Sequence, residues 1–380
     1  MNKPALHAPI LARHLATHCR GCGRCARECE FLSRHGLPRR WAEDLLARPH
    51  HPVGPAFDCN LCGLCQAVCP RGLAPHRFFL SLRQRATAPP PASLTHRLHE
   101  RAGQSALLSW YGLPQHCDTV FFPGCALPGL RPETVFTLFT ALGEMIPRLG
   151  MVLDCCGAPS LALGRNPSFQ RKFSPLEAIL RRHGIRRLIT ACPTCYRTLD
   201  THLPGISVEM AYGLLPPAPG QGKDTVTLHD PCVLRFHPQI HHGVREMIQT
   251  MGFKIKEMAH HGKTTLCCGL GGGKVSSHLA RNWREKRQQE NPNLPLVTYC
   301  AGCTQALTPG GPTLHLLDLW RHPGQDIPQL LSRPELSRLP RGVAPYANRL
   351  ALKRHLQRLP HLSLRGNRRS LPGPKRTTAG

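Results

Sequence analysis

The chain has 380 residues, among them 19 cysteines, 38 prolines and 34 glycines, and its 49 Lys and Arg against 22 Asp and Glu give a formal charge of +27. This length suggests two or three domains of roughly 100–200 residues each, and no apolar run reaches the ~18–20 residues that would span a bilayer. The N-terminal stretch lacks the continuous apolar core of a secretory signal, so the expected location is cytoplasmic, where cysteines serve metal or redox chemistry more often than disulfides.

The first elements in chain order are two cysteine runs, Cys19-x2-Cys22-x2-Cys25-x3-Cys29 and Cys59-x2-Cys62-x2-Cys65-x3-Cys69-Pro70. Three thiolates at this spacing can cap three corners of an iron–sulfur cube, and in two-cluster ferredoxins the fourth cysteine of each run serves the other cube. The expected sets are Cys19, Cys22, Cys25 and Cys69 for one [4Fe–4S] cluster, and Cys59, Cys62, Cys65 and Cys29 for the other. Cys-x2-Cys knuckles also build zinc sites, so a zinc-loaded basic binding protein stands as an alternative. Two complete runs in tandem favour iron and sulfur. Glu30 follows Cys29 where a proline is usual, a change of backbone and not of ligand. A short helix is expected from Pro38 to Ala47. It suits an α-helical ferredoxin domain over residues 1–90, ending in a linker at Pro89-Pro90-Pro91.

A second cysteine pattern occurs twice. Cys125, Cys155-Cys156-Gly157 and Cys192-x2-Cys195 form the first copy; Cys232, Cys267-Cys268-Gly269 and Cys300-x2-Cys303 form the second. Cys125 to Cys232 is 107 residues, Cys155 to Cys267 is 112 and Cys192 to Cys300 is 108, so the pattern reads as a domain duplication. TVFFPGC (119–125) matches TVTLHDPC (225–232) and RRLITACPTC (186–195) matches LPLVTYCAGC (294–303), each a short apolar run ending in a turn that delivers cysteines, and helices are expected at Pro132 to Ile146, Pro175 to His183 and His242 to Met251. Strands alternating with helices indicate α/β domains with the site at the carboxyl ends of the strands. The boundaries are 115–215 and 223–330, separated by the Pro- and Gly-rich stretch from Gly205 to Gly222. Asp230-Pro231 reads as a helix N-cap followed by proline at the first helical position. His229, close to Cys232, is a candidate hydrogen-bond or proton donor to the site.

Neighbouring cysteines in an extended segment point to opposite sides, so two consecutive thiolates do not easily chelate one tetrahedral ion. They can reach two irons of one polynuclear cluster. Five thiolates per copy, one more than a cube needs, imply an open cluster geometry or a cube with a spare thiol.

The motifs CRGCGRCAREC, CNLCGLCQAVCP, FPGC, DCCGAPSLALG, ACPTC, HDPC, LCCGLGGG and YCAGC resemble the heterodisulfide reductase and glycolate oxidase iron–sulfur subunit family over roughly residues 15–310. The sequence is also similar to the iron–sulfur subunits of anaerobic glycerol-3-phosphate dehydrogenase and of lactate-utilisation complexes. The resemblance implies a non-cubane [4Fe–4S] cluster in one or both cysteine-rich (CCG) domains. Cys125, Cys155, Cys156, Cys192 and Cys195 would surround one, and Cys232, Cys267, Cys268, Cys300 and Cys303 the other. It further implies an oxidoreductase subunit passing electrons between a flavoprotein partner and the CCG centres, towards quinone or another acceptor. The alternative within the family is a catalytic subunit that reduces a disulfide.

Weaker signals remain. Gly269 to Lys274 fails the phosphate-loop pattern, since Val275 stands where Ser or Thr is required; its glycines suit close wrapping around a cluster. No dinucleotide fingerprint is present, so flavin or nicotinamide belongs to a partner. Cys117 is left over as a free thiol. Residues 336–380 hold eleven Lys and Arg and no acid, and Leu352, Leu356 and Leu359 mark one face of a helix from Tyr346 to Leu359. Such a basic tail can meet a quinone-side or membrane partner, placing the protein at the inner face of the membrane, or stay solvated and disordered. Nucleic-acid binding is not expected: few aromatics interleave with the basic residues.

Overall fold

A computed structural model describes residues 7–50, 53–86, 94–215, 222–271, 278–362 and 364–366. The linker prolines at 89–91, the residues 272–274 of the glycine loop, Pro216, Pro217 and Pro219, and the end of the basic segment from 367 lie outside the described residues.

The N-terminal unit is helical. Ala8–His18, Pro38–Ala47 and Pro75–Arg85 each carry proline in the first turn, where its missing N–H costs no hydrogen bond. Ala8, Ala12 and Leu15 recur at helical spacing and face Trp41, Ala42 and Leu45. Phe79 meets both Phe31 and Trp41 edge to face, with the Phe31 and Phe79 centroids 4.8 Å apart. The two cysteine runs wrap around this core. Each needs left-handed backbone at two matching positions, Gly21 and Gly23 in the first and Leu61 and Gly63 in the second. Leucine accepts that conformation only at some cost.

Ten short strands follow: β1 (Trp110–Leu113), β2 (Thr119–Phe122), β3 (Gly150–Leu153), β4 (Arg187–Thr190), β5 (Ser207–Met210), β6 (Thr225–His229), β7 (Lys254–Lys256), β8 (Leu296–Thr298), β9 (Thr313–His315) and β10 (Leu364–Gly366). They make two sheets, ordered β10-β1-β3-β2-β4-β5 and β7-β6-β8-β9. The parallel quartet β3-β2-β4-β5 repeats as β7-β6-β8-β9, so the duplication in the cysteines is also one of topology. Parallel strands buried on both faces need near-continuous apolar runs, and β2 is buried at every position.

The two CCG units share one core. Phe121, Met151 and Ile189 of the first sheet join Val226, Leu228 and Val297 of the second in a single apolar cluster. Tyr212, buried between them, donates its hydroxyl proton towards the carbonyls of Ala191 (2.7 Å) and Tyr299 (3.1 Å), the residues just before Cys192 and Cys300. Arg131 crosses to Asp318 at 2.9 Å, both side chains almost fully buried.

The helix expected to begin at Pro175 runs from Asn166 to Arg182, with Pro175 inside it. Its buried residues Phe169, Phe173, Leu176, Ile179 and Leu180 explain why packing overrides the interior proline.

The described part of the basic segment 336–380 is not a detached tail. Ala344–Leu356 forms the expected helix, but Leu352 and Leu356 are buried against the Leu127–Leu130 and Pro132–Met145 helices. β10 then pairs with β1. The leucine stripe anticipated for a membrane or partner is spent within the chain's own core, because burial there removes the same apolar surface from water. Among the described residues no helix is long and apolar enough to cross a membrane.

Candidate iron–sulfur sites

The cysteines of the two N-terminal runs gather in two groups of four. Burial, followed by the neighbouring Cys19, Cys22 and Cys69, pushes the Cys25 thiol up to about 11. Burial and the nearby Cys62 and Cys59 likewise hold Cys29 well above the ordinary thiol range, and Cys65 follows for the same reasons. Each run's last cysteine thus lies among the first three of the other run. Cys29, Cys59, Cys62 and Cys65 line one cavity together with Phe31, His76, Phe79 and Trp283. The other group lies nearer the surface, with Cys22 exposed.

Both five-cysteine sets sit beyond the carboxyl ends of their parallel strands, and the paired cysteines divide in the same way in each. Cys155 meets Cys125, whereas Cys156 meets Cys195. Cys267 lies 4.0 Å from Cys232, whereas Cys268 lies 3.3 Å from Cys303. One thiol of each pair therefore faces the cysteine after the first strand and the other faces the Cys-x2-Cys knuckle. Adjacent side chains diverge to serve two sides of one site.

These sets suit a cationic metal–sulfide group. Burial holds the Cys25, Cys29, Cys59 and Cys65 thiols protonated, whereas hydrogen bonds from neighbouring thiols lower Cys62, Cys192 and Cys268; a positive centre would favour the thiolate in both groups. Backbone N–H groups already point at sulfur: Leu61 donates to Cys59 Sγ at 3.4 Å and Gly269 to Cys267 Sγ at 3.3 Å. Gly271 brings its loop against the Asn60 carbonyl, where a Cβ would lie 2.8 Å from the oxygen.

Residues 18–74 match the 4Fe-4S dicluster domain family, and residues 119–200 and 226–308 each match the cysteine-rich domain family. The chain belongs to the heterodisulfide reductase and glycolate oxidase iron–sulfur subunit family. Relatives include an EtfAB:quinone oxidoreductase of Syntrophomonas wolfei, 23% identical over 67% of this chain and 43% of its own length. Two dihydromethanophenazine:CoB--CoM heterodisulfide reductase subunits D cover the same share of the chain and 78% of their own length, that of Methanosarcina barkeri at 23% identity and that of Methanosarcina mazei at 26%. The chain therefore spans less than half the length of the first relative.

Around the second CCG set, this iron–sulfur family member buries the polar side chains of His229 and Asp230. His229, at the end of β6, is completely buried; a ring nitrogen lies with Cys268 and Cys303 Sγ such that all three are within 4.8 Å of one another. The matching position at the end of β2, paired with Thr190 as His229 is with Thr298, is Phe122, which offers no donor. Asp230 is not the helix cap anticipated. The turn after it, Cys232–Leu234, is preceded by Pro231 and has no side-chain cap. Asp230 instead accepts from Arg245 (2.9 Å), the Gly262 N–H (2.7 Å) and the Tyr299 hydroxyl (2.8 Å), an anion buried with its partners. Arg245 hydrogen-bonded to it holds its carboxyl down to about 2 against the opposing effect of burial.

Arginines join the units and were not legible as site residues. Arg235 donates to the Cys62 carbonyl (3.0 Å) and to the Thr265 carbonyl (2.7 Å), fastening the ferredoxin loop to the second CCG unit. Beyond that join, the Cys62 and Cys267 thiols meet. Arg83 donates to the Ala56, Cys59 and Ala162 carbonyls. Arg349, from the basic segment, is 2% exposed and lies beside the first CCG set: a Cβ on Gly103 would be 3.2 Å from both its Nη1 and Cys155 Cβ. Cys117 is buried behind β3, its thiol donating to the Thr119 carbonyl at 3.2 Å, away from either set.

Proposed function

We propose that the chain is an electron-transfer subunit of an oxidoreductase complex, linking a flavoprotein partner to CCG centres that pass electrons towards quinone or another acceptor. Cys19, Cys22, Cys25 and Cys69 would hold one [4Fe–4S] cluster and Cys29, Cys59, Cys62 and Cys65 a second; each five-cysteine CCG set would hold a further, non-cubane cluster. Clusters bound there would supply one-electron transfer. The protein's residues exclude water, aim N–H groups at sulfur and set the local charge, which together tune potential.

The observation that carries this reading is the meeting of Cys62 with Cys267, one from the second ferredoxin set and one from the second CCG set. The exposed Cys22 is flanked by the exposed Arg20, Arg24 and Arg27, which suits entry of electrons from an acidic partner. A second reading, reduction of a disulfide to two thiols by two electrons and two protons, is favoured by the completeness of both CCG sets and by the similarity to heterodisulfide reductase subunits D.

Anaerobic purification followed by iron, sulfide and zinc analysis tests the common core of both readings. Iron with acid-labile sulfide is expected, and zinc in the sites without iron overturns them. Electron paramagnetic resonance after oxidation in the presence of thiol separates the two. A thiol-dependent paramagnetic state supports disulfide chemistry; its absence, while a flavoprotein reduces the centres, supports electron relay.

A further inference from the structure

His229 has one ring nitrogen occupied. Arg287 Nε donates to its Nδ1 at 2.8 Å, inside a site where Arg287 and His229 are both completely buried. A guanidinium N–H is a donor only, so Nδ1 must be the unprotonated nitrogen and the ring's proton resides on Nε2. That second nitrogen is buried without a hydrogen-bond partner among the described residues, and a nitrogen of this ring lies within 4.8 Å of the Cys268 and Cys303 Sγ atoms. Arg287 is itself held on three sides, donating to the His260 carbonyl at 2.7 Å, to Glu290 at 3.1 Å and towards the Leu228 carbonyl at 3.4 Å.

We propose that Arg287 is a positioning residue that locks His229 in the Nε2–H tautomer, so that the imidazole donates a hydrogen bond to sulfur at the second CCG centre and raises that centre's reduction potential. The proposal rests on the iron–sulfur reading above. Its physical basis is that an N–H directed at a cluster sulfur stabilises the more negative, reduced state. The first CCG set cannot do the same through its own strand, since Phe122 stands where His229 does in the second. Arg287 and His229 lie 58 residues apart, one on the His278–Gln288 helix and the other at the end of β6, so the pair is not visible as a motif.

The test is redox titration of the full-length protein, followed by electron paramagnetic resonance, for Arg287→Met, His229→Phe and His229→Gln. Gln places an amide N–H near the Nε2 position without needing Arg287. Arg287→Met and His229→Phe should lower the potential of the second CCG centre by at least tenfold in its reduction equilibrium, about 59 mV for one electron. His229→Gln should stay close to wild type, and the ferredoxin centres should not move in any variant. Unchanged potentials in both Arg287→Met and His229→Phe, with iron content intact, overturn the proposal. So does an equal fall in His229→Gln, which would indicate a packing role. Nitrogen-15 NMR of histidine-labelled protein gives a readout that does not depend on iron: His229 as the Nε2–H tautomer is expected, and the Nδ1–H form refutes the lock. Absence of iron would defeat the functional reading, while the tautomer would still decide the role of Arg287.

Discussion

His315 closes β9 and caps the Leu316–Arg321 helix: its Nδ1 accepts from the Leu317 N–H at 3.2 Å, while the His315 N–H donates to Asp318 at 2.9 Å. Burial, with Asp318 opposing and Arg131 assisting, lowers its pKa from 6.5 to about 4. The folded state therefore refuses a proton that the unfolded chain accepts. This contribution to stability is fully present above about pH 6.5 and is lost as the pH falls towards 4, amounting to about 3 kcal/mol over the window. His315→Asn keeps a capping acceptor and removes the titration. Denaturant unfolding followed between pH 7 and 4 should show a shallower decline for His315→Asn than for the wild type; parallel curves would refute this account. No sequence pattern marks His315 out among 23 histidines, because its pKa depends on neighbours brought by the fold.

At the scale of elements, the strands that deliver cysteines were legible and the C-terminal helix only half so. Cysteine spacing, β-rich runs and turns all point one way in β2, β4, β6 and β8, and local and global preferences agree there. β1 and β10 were missed, since an antiparallel edge pair depends on partners some 250 residues apart, as Tyr111 and Gly366 are. A leucine stripe looks the same whether lipid or protein will cover it. In the Ala344–Leu356 helix Lys353 makes the difference plain, donating to the carbonyls of Ala106 and Leu107 at 2.9 Å each. Leu352→Ala and Leu356→Ala should each cost about 2–5 kcal/mol, as core truncations do. Thermal or denaturant unfolding measures the loss, and a change below about 0.5 kcal/mol, usual for surface positions, would show that the helix is not packed as described.

Across the whole molecule the charge of +27 has two fates. Part is internal: Arg83, Arg131, Arg235 and Arg349 are buried and join distant parts of the chain, and Arg287 is buried within the second CCG unit; in the sequence they cannot be told from surface cations. Part is external and lies around the first ferredoxin set, where no ion pair engages Arg20, Arg24 or Arg27 among the described residues. If an acidic flavoprotein docks there, replacing all three with Gln should slow association by at least about tenfold at low salt and flatten its salt dependence. Stopped-flow reduction of the protein by its partner measures this, and an unaltered second-order rate would move the docking site elsewhere.

The pairing of β10 with β1 has a consequence for biosynthesis. At ~5–20 residues per second, the stretch from Leu113 to Leu364 takes roughly 10–50 s to translate. Throughout that interval β1 lacks its outer neighbour, and the niche beside Cys125 and Cys155 still waits for Arg349. The first cysteine-rich unit therefore matures on the ribosome with an open flank, while the ferredoxin helices wait only for Arg235, Leu266, Cys267 and Trp283 of the second unit, which emerge earlier. Metal delivery to the two ends of this protein would follow different clocks, and a chaperone or scaffold acting on it would find the N-terminal thiols ready first.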